Sequence, residues 1–275
     1  MAAPPRQIFS PSSFSELFST WERFPYAVPY AGGTGLAWKQ SKQLLELPQT
    51  LLSLDKINEL GKITRTERYL EIGSMVNLNQ IILLGKIVPD PLRLCLEQIA
   101  SSHVRNAATI GGNICFPGKR MDAAAPLTAL DAQFELRSAQ SSRWTSGTRF
   151  FSLPGNTAIN PNELLTRIRI PLDQWDYSVY QKITDISGNN INIVFMVKSP
   201  KNTISDMRIL LSSDLMYRDK SDESLLIGKQ LPLENREIAE FLSNWRNFLF
   251  NIPHIDDFTR DRAFNCIDSA LSNLS

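Results

Sequence analysis

The sequence predicts an α+β fold. A two-lobed N-terminal domain spans residues 1–173, with a small α/β lobe (about 1–55) and a larger α+β lobe (56–173), and a C-terminal α+β domain follows over 178–275, its sheet packed by helices. Three observations predict it. An apolar strand-like run breaks into a glycine loop at Ala31-Gly32-Gly33-Thr34-Gly35, and a second uncharged glycine segment stands far along the chain at Thr109-Ile110-Gly111-Gly112-Asn113. Strand-like and helix-like segments mix up to Pro171, where the polar and aromatic stretch Asp173 to Tyr177 marks a boundary. Beyond it strands come first and helices last, the order of an α+β unit.

Taken in order, Ser13-x-x-Glu16 reads as a capping box, with Phe14, Leu17, Phe18 and Trp21 following at helical spacing. Ala27 to Tyr30 is then a strand, and Thr50 to Leu54 another after a short helical crossover. Tyr69 to Ser74 reads as a strand and Leu78 to Leu84 as a helix starting after Asn77. Asp90 is read as a cap with Pro91 at the first helical position, and Leu92, Cys95, Leu96 and Ile99 form the buried face. Ala123 to Leu130 is small and apolar, Gln133 to Arg137 alternates like a strand, and Ser138 to Gly147 is a polar hairpin or loop. Leu164 to Pro171 returns as a strand.

In the last part, a strand runs through Tyr180, a turn falls at Ser187-Gly188-Asn189-Asn190, and Ile191 to Val197 and Met207 to Leu211 are further strands. The charged run with Arg218, Asp219, Lys220, Asp222 and Glu223 reads as solvated surface. Two helical stripes close the chain: Ile238, Phe241, Leu242, Trp245 and Phe248, then Ala263, Ile267, Ala270 and Leu271.

Composition narrows the function classes. A chain of 275 residues that is 43% apolar can bury more than one core, and a net charge of +1 lacks the basic surplus of a nucleic-acid binder. No run approaches a membrane span, and Met1 to Arg6 carries no apolar signal region, so a cytoplasmic protein is expected. Cys95, Cys115 and Cys266 are too scattered for a disulfide framework or a Cys-x-x-Cys site. With His103 and His254 as the only histidines, neither a triad nor a histidine metal site can be drawn.

The glycine segments carry the chemistry. Adjacent glycines allow positive φ and a close backbone approach, and successive amides in such a turn make a concavity suited to phosphate. Neither segment is G-x-G-x-x-G or followed by G-K-[ST], so dinucleotide-fold and Walker loops are excluded. Two such loops suit a pyrophosphate held between two lobes. Neither contains Lys or Arg, so backbone dipoles and the hydroxyls of Thr34 and Thr109 would have to stabilise the charge. Asn113 can donate and accept, whereas an ionised Asp122 only accepts and suits sugar or ribityl hydroxyls, or a helix cap before Ala123.

These residues carry a resemblance. Ala31-Gly32-Gly33-Thr34, Arg105-Asn106 and Thr109-Ile110-Gly111-Gly112-Asn113 with the spaced Asp122 resemble the FAD-binding (medium) subunit of the molybdenum hydroxylases, the relatives of xanthine dehydrogenase and carbon monoxide dehydrogenase. Tyr69 to Ser74, Glu163 to Pro171, Tyr180-Gln181-Lys182, Met207 to Ile209 and Leu226 to Lys229 resemble further segments of that family, so the likeness runs through most of the chain. The resemblance implies FAD as cofactor, bound by Ala31 to Gly35 and Thr109 to Asn113, with Asp122 on hydroxyls. Ile99, Leu165 and Lys182 match positions that contact the flavin, Lys182 facing the reduced ring and Tyr180 covering a ring face. No residue is expected to act as acid, base or nucleophile.

The implied role is a relay. A molybdopterin subunit oxidises an N-heterocycle or aldehyde, iron-sulfur clusters on a second partner pass single electrons, and the flavin chain delivers pairs to NAD or another acceptor. The sequence departs from the family at Gly35, where Asp or Ser is usual, in the basic spacer Pro117-Gly118-Lys119-Arg120, and at Asp185 and Asn190, which replace Arg and Asp. Those departures keep two other classes open: a flavin-free scaffold subunit of the same fold and a stand-alone flavin reductase.

Overall fold

The computed structural model describes residues 6–40, 46–185, 188–253 and 255–274. Strands β1 (Gln7–Phe9), β2 (Val28–Tyr30) and β3 (Thr50–Ser53) form a small parallel sheet in the order β1-β3-β2. Helix α1 (Phe14–Arg23) crosses between the first two strands, and α2 (Thr34–Lys39) begins where the β2 strand ends in glycines. Ser13 caps α1, its Oγ accepting from the Glu16 amide at 3.2 Å. The Glu16 carboxylate instead accepts from the Ser12 amide at 2.7 Å, so only half of the expected capping box forms. Leu17, Phe18 and Trp21 are buried against Leu52, Ile57 and Leu60, and Leu164 joins this core from a distant strand.

The larger lobe is built on an antiparallel sheet of β4 (Ile63–Arg65), β5 (Tyr69–Gly73), β6 (Gln133–Arg137), β7 (Ser142–Ser146) and β8 (Leu164–Pro171), in the order β4-β5-β8-β6-β7. Its helices are α3 (Leu78–Ile82), α4 (Asp90–Glu97), α5 (Ser102–Ala107), α6 (Ile110–Ile114), α7 (Ala124–Ala129) and α8 (Gly147–Phe150). The helix expected to reach Leu84 stops at Ile82 and gives way to a tighter turn at Gly85–Ile87, where Gly85 takes φ 59°. Asp90 is inside α4 rather than capping it, because Pro89 already sets the entry; its carboxylate pairs with Arg93 at 2.8 Å. The polar stretch after Arg137 is a hairpin into β7.

Beyond Asp176, β9 (Tyr177–Thr184), β10 (Asn190–Lys198), β11 (Asp206–Ser212) and β12 (Met216–Tyr217) form an antiparallel sheet in the order β12-β11-β10-β9. The helices α9 (Lys220–Ser224), α10 (Asn235–Asn251) and α11 (Asp257–Ser272) follow. Side chains alternate across a strand. Ile191, Ile193, Phe195 and Val197 therefore share a core with Phe241, Trp245 and Ile267, while Val194 and Met196 join Tyr180, Leu210, Leu92 and Leu127 in the core of the larger lobe. The sheet is covered on both faces, by α4 and α7 on one and by α10 and α11 on the other. That explains the apolar run Ile193 to Val197 in β10.

Arg218 and Glu223 are not solvated surface: the buried Glu223 carboxylate takes a two-pronged pair from Arg218 at 2.8 Å and also accepts from the Ile209 amide at 2.8 Å. An orphan amide on β11 and a guanidinium make that burial affordable. Ser187 of the expected turn and His254 lie outside the described residues; in that turn, Asp185 accepts from the Asn189 amide at 2.7 Å.

Candidate functional site

The two glycine segments meet. A Cβ built on Gly32 would lie 1.8 Å from the Ala107 carbonyl oxygen, so only glycine lets the end of β2 come against the stretch entering α6. Gly33 sits at φ 69°, a left-handed conformation that turns the chain into α2. Thr34 and Gly35 occupy the first turn of α2, where amides have no intrahelical acceptor. Ala31 to Gly35 are half-buried, and Gly112, whose hypothetical Cβ lies 3.8 Å from that of Ala31, is exposed across the seam.

The open amide concavity expected at Thr109 to Asn113 is corrected by the structure. The segment is the start of α6 with Thr109 as its cap, and neither Gly111 nor Gly112 takes positive φ. Its amides are already used: Ile110 donates to Val76 O at 2.9 Å, Gly111 to Ser74 O at 2.9 Å, Gly112 to Thr109 Oγ1 at 3.0 Å and Asn113 to Thr109 O at 2.9 Å. The glycines are there for close packing, since a Cβ on Gly111 would lie 2.7 Å from Ser74 Cβ and one on Gly112 2.8 Å from Thr109 Oγ1. This side of the seam offers a surface without side chains and the positive end of a short helix, whereas the α2 side offers amides. Among the described residues, the buried Ser74 Oγ and Asn113 Oδ1 have no hydrogen-bond partner.

Arg105 and Asn106 of the same motif are structural. The Arg105 guanidinium donates to the carbonyls of Ile99 at 2.9 Å and Ala100 at 2.7 Å, holding a turn in which Ala100 takes φ 44°. Asn106 Oδ1 accepts from Asn79 Nδ2 at 2.6 Å. Ile99 and Leu165 lie in the apolar core of the larger lobe, Ile99 keeping 8% of its surface and Leu165 3%.

Asp122 is drawn into a polar cluster against the β9–β10 pair. It does not cap α7, whose capping residue is Ala123. Its carboxylate accepts from Lys182 Nζ at 2.6 Å, Asn192 Nδ2 at 3.3 Å and Asn190 Nδ2 at 3.4 Å, and Tyr180 donates to Asn192 Oδ1 at 2.7 Å. Tyr180, Lys182, Asn190 and Asn192 fall on one face of the β9–β10 pair, the face turned to the larger lobe. Burial first, then Cys95 and Asp122 nearby, push the Tyr180 phenol well above its usual range and keep it a donor. Sequence reading missed Asn192, although a polar residue at an alternate position of an apolar strand was a signal.

The departures from the motif also have structural reasons. The Phe116 ring lies 2.6 Å from where a Gly35 Cβ would be, so the ring fills the space a longer side chain would take. Arg120 is buried and donates to the carbonyls of Phe151 at 3.0 Å, Leu153 at 2.5 Å and Asn156 at 2.9 Å. Lys119 stays outside, its Nζ 5.0 Å from the Trp38 ring centroid. Among the described residues no cluster of His, Cys, Asp and Glu could hold a metal ion, and no helix is long and apolar enough to cross a membrane.

Against known proteins, residues 4–173 match the family model described as the FAD binding domain in molybdopterin dehydrogenase. The chain is 30% identical over 210 residues to the glyceraldehyde dehydrogenase medium chain of Sulfolobus acidocaldarius, covering 74% of each. It is 29% identical to the carbon monoxide dehydrogenase medium chain of Hydrogenophaga pseudoflava, over 76% of this chain and 75% of that one. In fold it is similar to a chain of carbon monoxide dehydrogenase from the same organism, with TM-score 0.82 at 23% identity over 100% of this chain and 98% of that one. It is similar too to a chain of quinoline 2-oxidoreductase from Pseudomonas putida 86, with TM-score 0.81 at 21% identity over 100% of this chain and 96% of that one.

Proposed function

The chain belongs to the family of FAD-binding domains of molybdopterin dehydrogenases, and from that premise we propose that it is the FAD-binding electron-transfer subunit of a multi-subunit molybdenum hydroxylase. In this reading it takes electrons from iron-sulfur clusters on one partner, downstream of a molybdopterin partner, and passes them to NAD or another acceptor in the cytoplasm. Residues 1–173 form the flavin-binding unit, and 178–275 close it from the Asp122 side.

The observation that carries the reading is the glycine seam, where Gly32 packs against the Ala107 carbonyl so that the two glycine segments meet, and where the first turn of α2 has no side-chain cap on its amides. The unpaired Ser74 Oγ and Asn113 Oδ1 beside it suit a ligand bearing both anionic oxygens and hydroxyls. Ala31 to Gly35 would hold the pyrophosphate through the free amides at the start of α2, and Ile110 to Asn113 would approach it across a side-chain-free surface. Asp122 and Lys182, paired at 2.6 Å, would offer an acceptor and a cation to the ribityl chain and ring. Ile99, Leu165 and Tyr180, buried in the core of the larger lobe, would support the site from behind rather than present a face to the flavin. When bound, FAD supplies the exchange between one-electron and two-electron carriers.

The test is the visible absorption spectrum of the purified chain before and after incubation with FAD and removal of the excess. A retained, protein-bound flavin spectrum near one FAD per chain is expected. A folded chain that stays colourless in excess FAD overturns the reading and leaves a scaffold subunit in its place.

A further inference from the structure

We propose that Trp38 and Lys119 form a binding surface for the adenosine half of a dinucleotide whose phosphates lie on the glycine seam. This rests on the flavin reading above and extends it to residues outside every glycine motif.

Trp38 stands on α2 four positions after Thr34, which at the helical rise is about 6 Å further along the axis, roughly the reach of a ribose. Its position is fixed by Phe116, which it meets edge-on with ring centroids 5.9 Å apart. The same Phe116 ring covers Gly35, so one side chain sets both the shape of the phosphate loop and the orientation of the indole. Lys119 holds its ammonium over the indole, and Trp38 is still 61% exposed. A large aromatic left in water gains from a flat partner, and a base stacks on an indole without needing a particular hydrogen-bond pattern.

Charge points the same way. A pyrophosphate brings two negative charges to segments that hold no cation, and Arg120 of the spacer is turned inward onto carbonyls. Lys119 forms no ion pair among the described residues, so its charge is available to the phosphates beside the stacked base. Asp122, Lys182 and Tyr180 are gathered instead where the larger lobe meets the C-terminal sheet. With the adenosine at Trp38, the flavin half is left for the Lys182 side.

The experiment measures dissociation constants of FAD, FMN and ADP for the flavin-free full chain by calorimetry, in wild type and in Trp38→Ala, Trp38→Phe and Lys119→Met. Loss of a stacked base predicts that Trp38→Ala weakens FAD and ADP by about tenfold or more. FMN, which lacks the adenosine half, stays unchanged; Trp38→Phe retains most of the affinity. Lys119→Met weakens FAD several-fold and flattens its dependence on ionic strength. Wild-type FAD binding with Trp38→Ala unaltered, or FMN weakened in step with FAD, overturns the adenosine surface alone. A wild-type chain that binds neither FAD nor ADP overturns the flavin reading and this one together.

Discussion

Phe116 decides what residue 35 can be. With the ring 2.6 Å from the place of a Cβ, glycine is the one residue that fits without moving the aromatic. The departure that reads in the sequence as a lost polar contact is thus a packing exchange, with a ring in the space of a side chain. Gly35→Asp should overpack this spot and cost about 1–3 kcal/mol, lowering the thermal midpoint. The Gly35→Asp, Phe116→Ala double variant should be more stable than the sum of its single losses, because the neighbours share one space. Additive losses in a thermal-unfolding cycle would show that the two residues do not compete.

At the scale of elements, short helices carry the site and side chains pin their ends. Thr109 caps α6, Ser101 caps α5, and the Glu163 carboxylate at the entry to β8 holds Arg143 of β7 at 2.7 Å and the Asn160 amide at 2.9 Å. The Arg143 bond first, then the Asn160 contacts against the cost of burial, lower the Glu163 carboxyl from 4.5 to about 2. A carboxyl lowered on folding stabilises the native state above its unfolded value and loses that contribution as pH falls through the folded one. Between about pH 4.5 and pH 2 the wild type should therefore lose a component of stability that Glu163→Gln never has. The expected result is a gap in urea midpoint, wild type above variant at pH 7, that closes across this window; a gap independent of pH would mean that the ionisation of Glu163 contributes nothing. Arg143 is 41% exposed, so solvent screening keeps the effect modest.

At the scale of the molecule, the C-terminal sheet is not an appendage. Tyr180, Val194, Met196 and Leu210 complete the core of the larger lobe, and Lys182, Asn190 and Asn192 hold Asp122 in place. A chain truncated after Asp173 should expose the apolar faces of α4 and α7, bind a hydrophobic dye and associate on a sizing column. A truncated chain that runs as a compact monomer with wild-type thermal stability would show that the two parts do not depend on one another.

The sequence by itself determined the longer strands such as β5, β8, β10 and β11, the amphipathic helices and the pairing of two glycine segments with a spaced aspartate, because these depend on periodicity and on residues such as glycine whose local preference is strong; the short strands β1, β4 and β12 carry too little pattern to read. It marked Gly32 and Gly112 for close approach to a ligand, whereas in the structure the groups that crowd them are the Ala107 carbonyl and the Thr109 hydroxyl. It misjudged the local conformation at Gly111 and Gly112 and left Asp122 between sugar ligand and helix cap. Whether an amide is free, whether an arginine such as Arg120 turns inward, and what partners a carboxylate all depend on groups distant in sequence. Asn192, Phe116 and Ser74 are those groups here, and only the packing of the tertiary structure brought them to Asp122, Gly35 and Gly111.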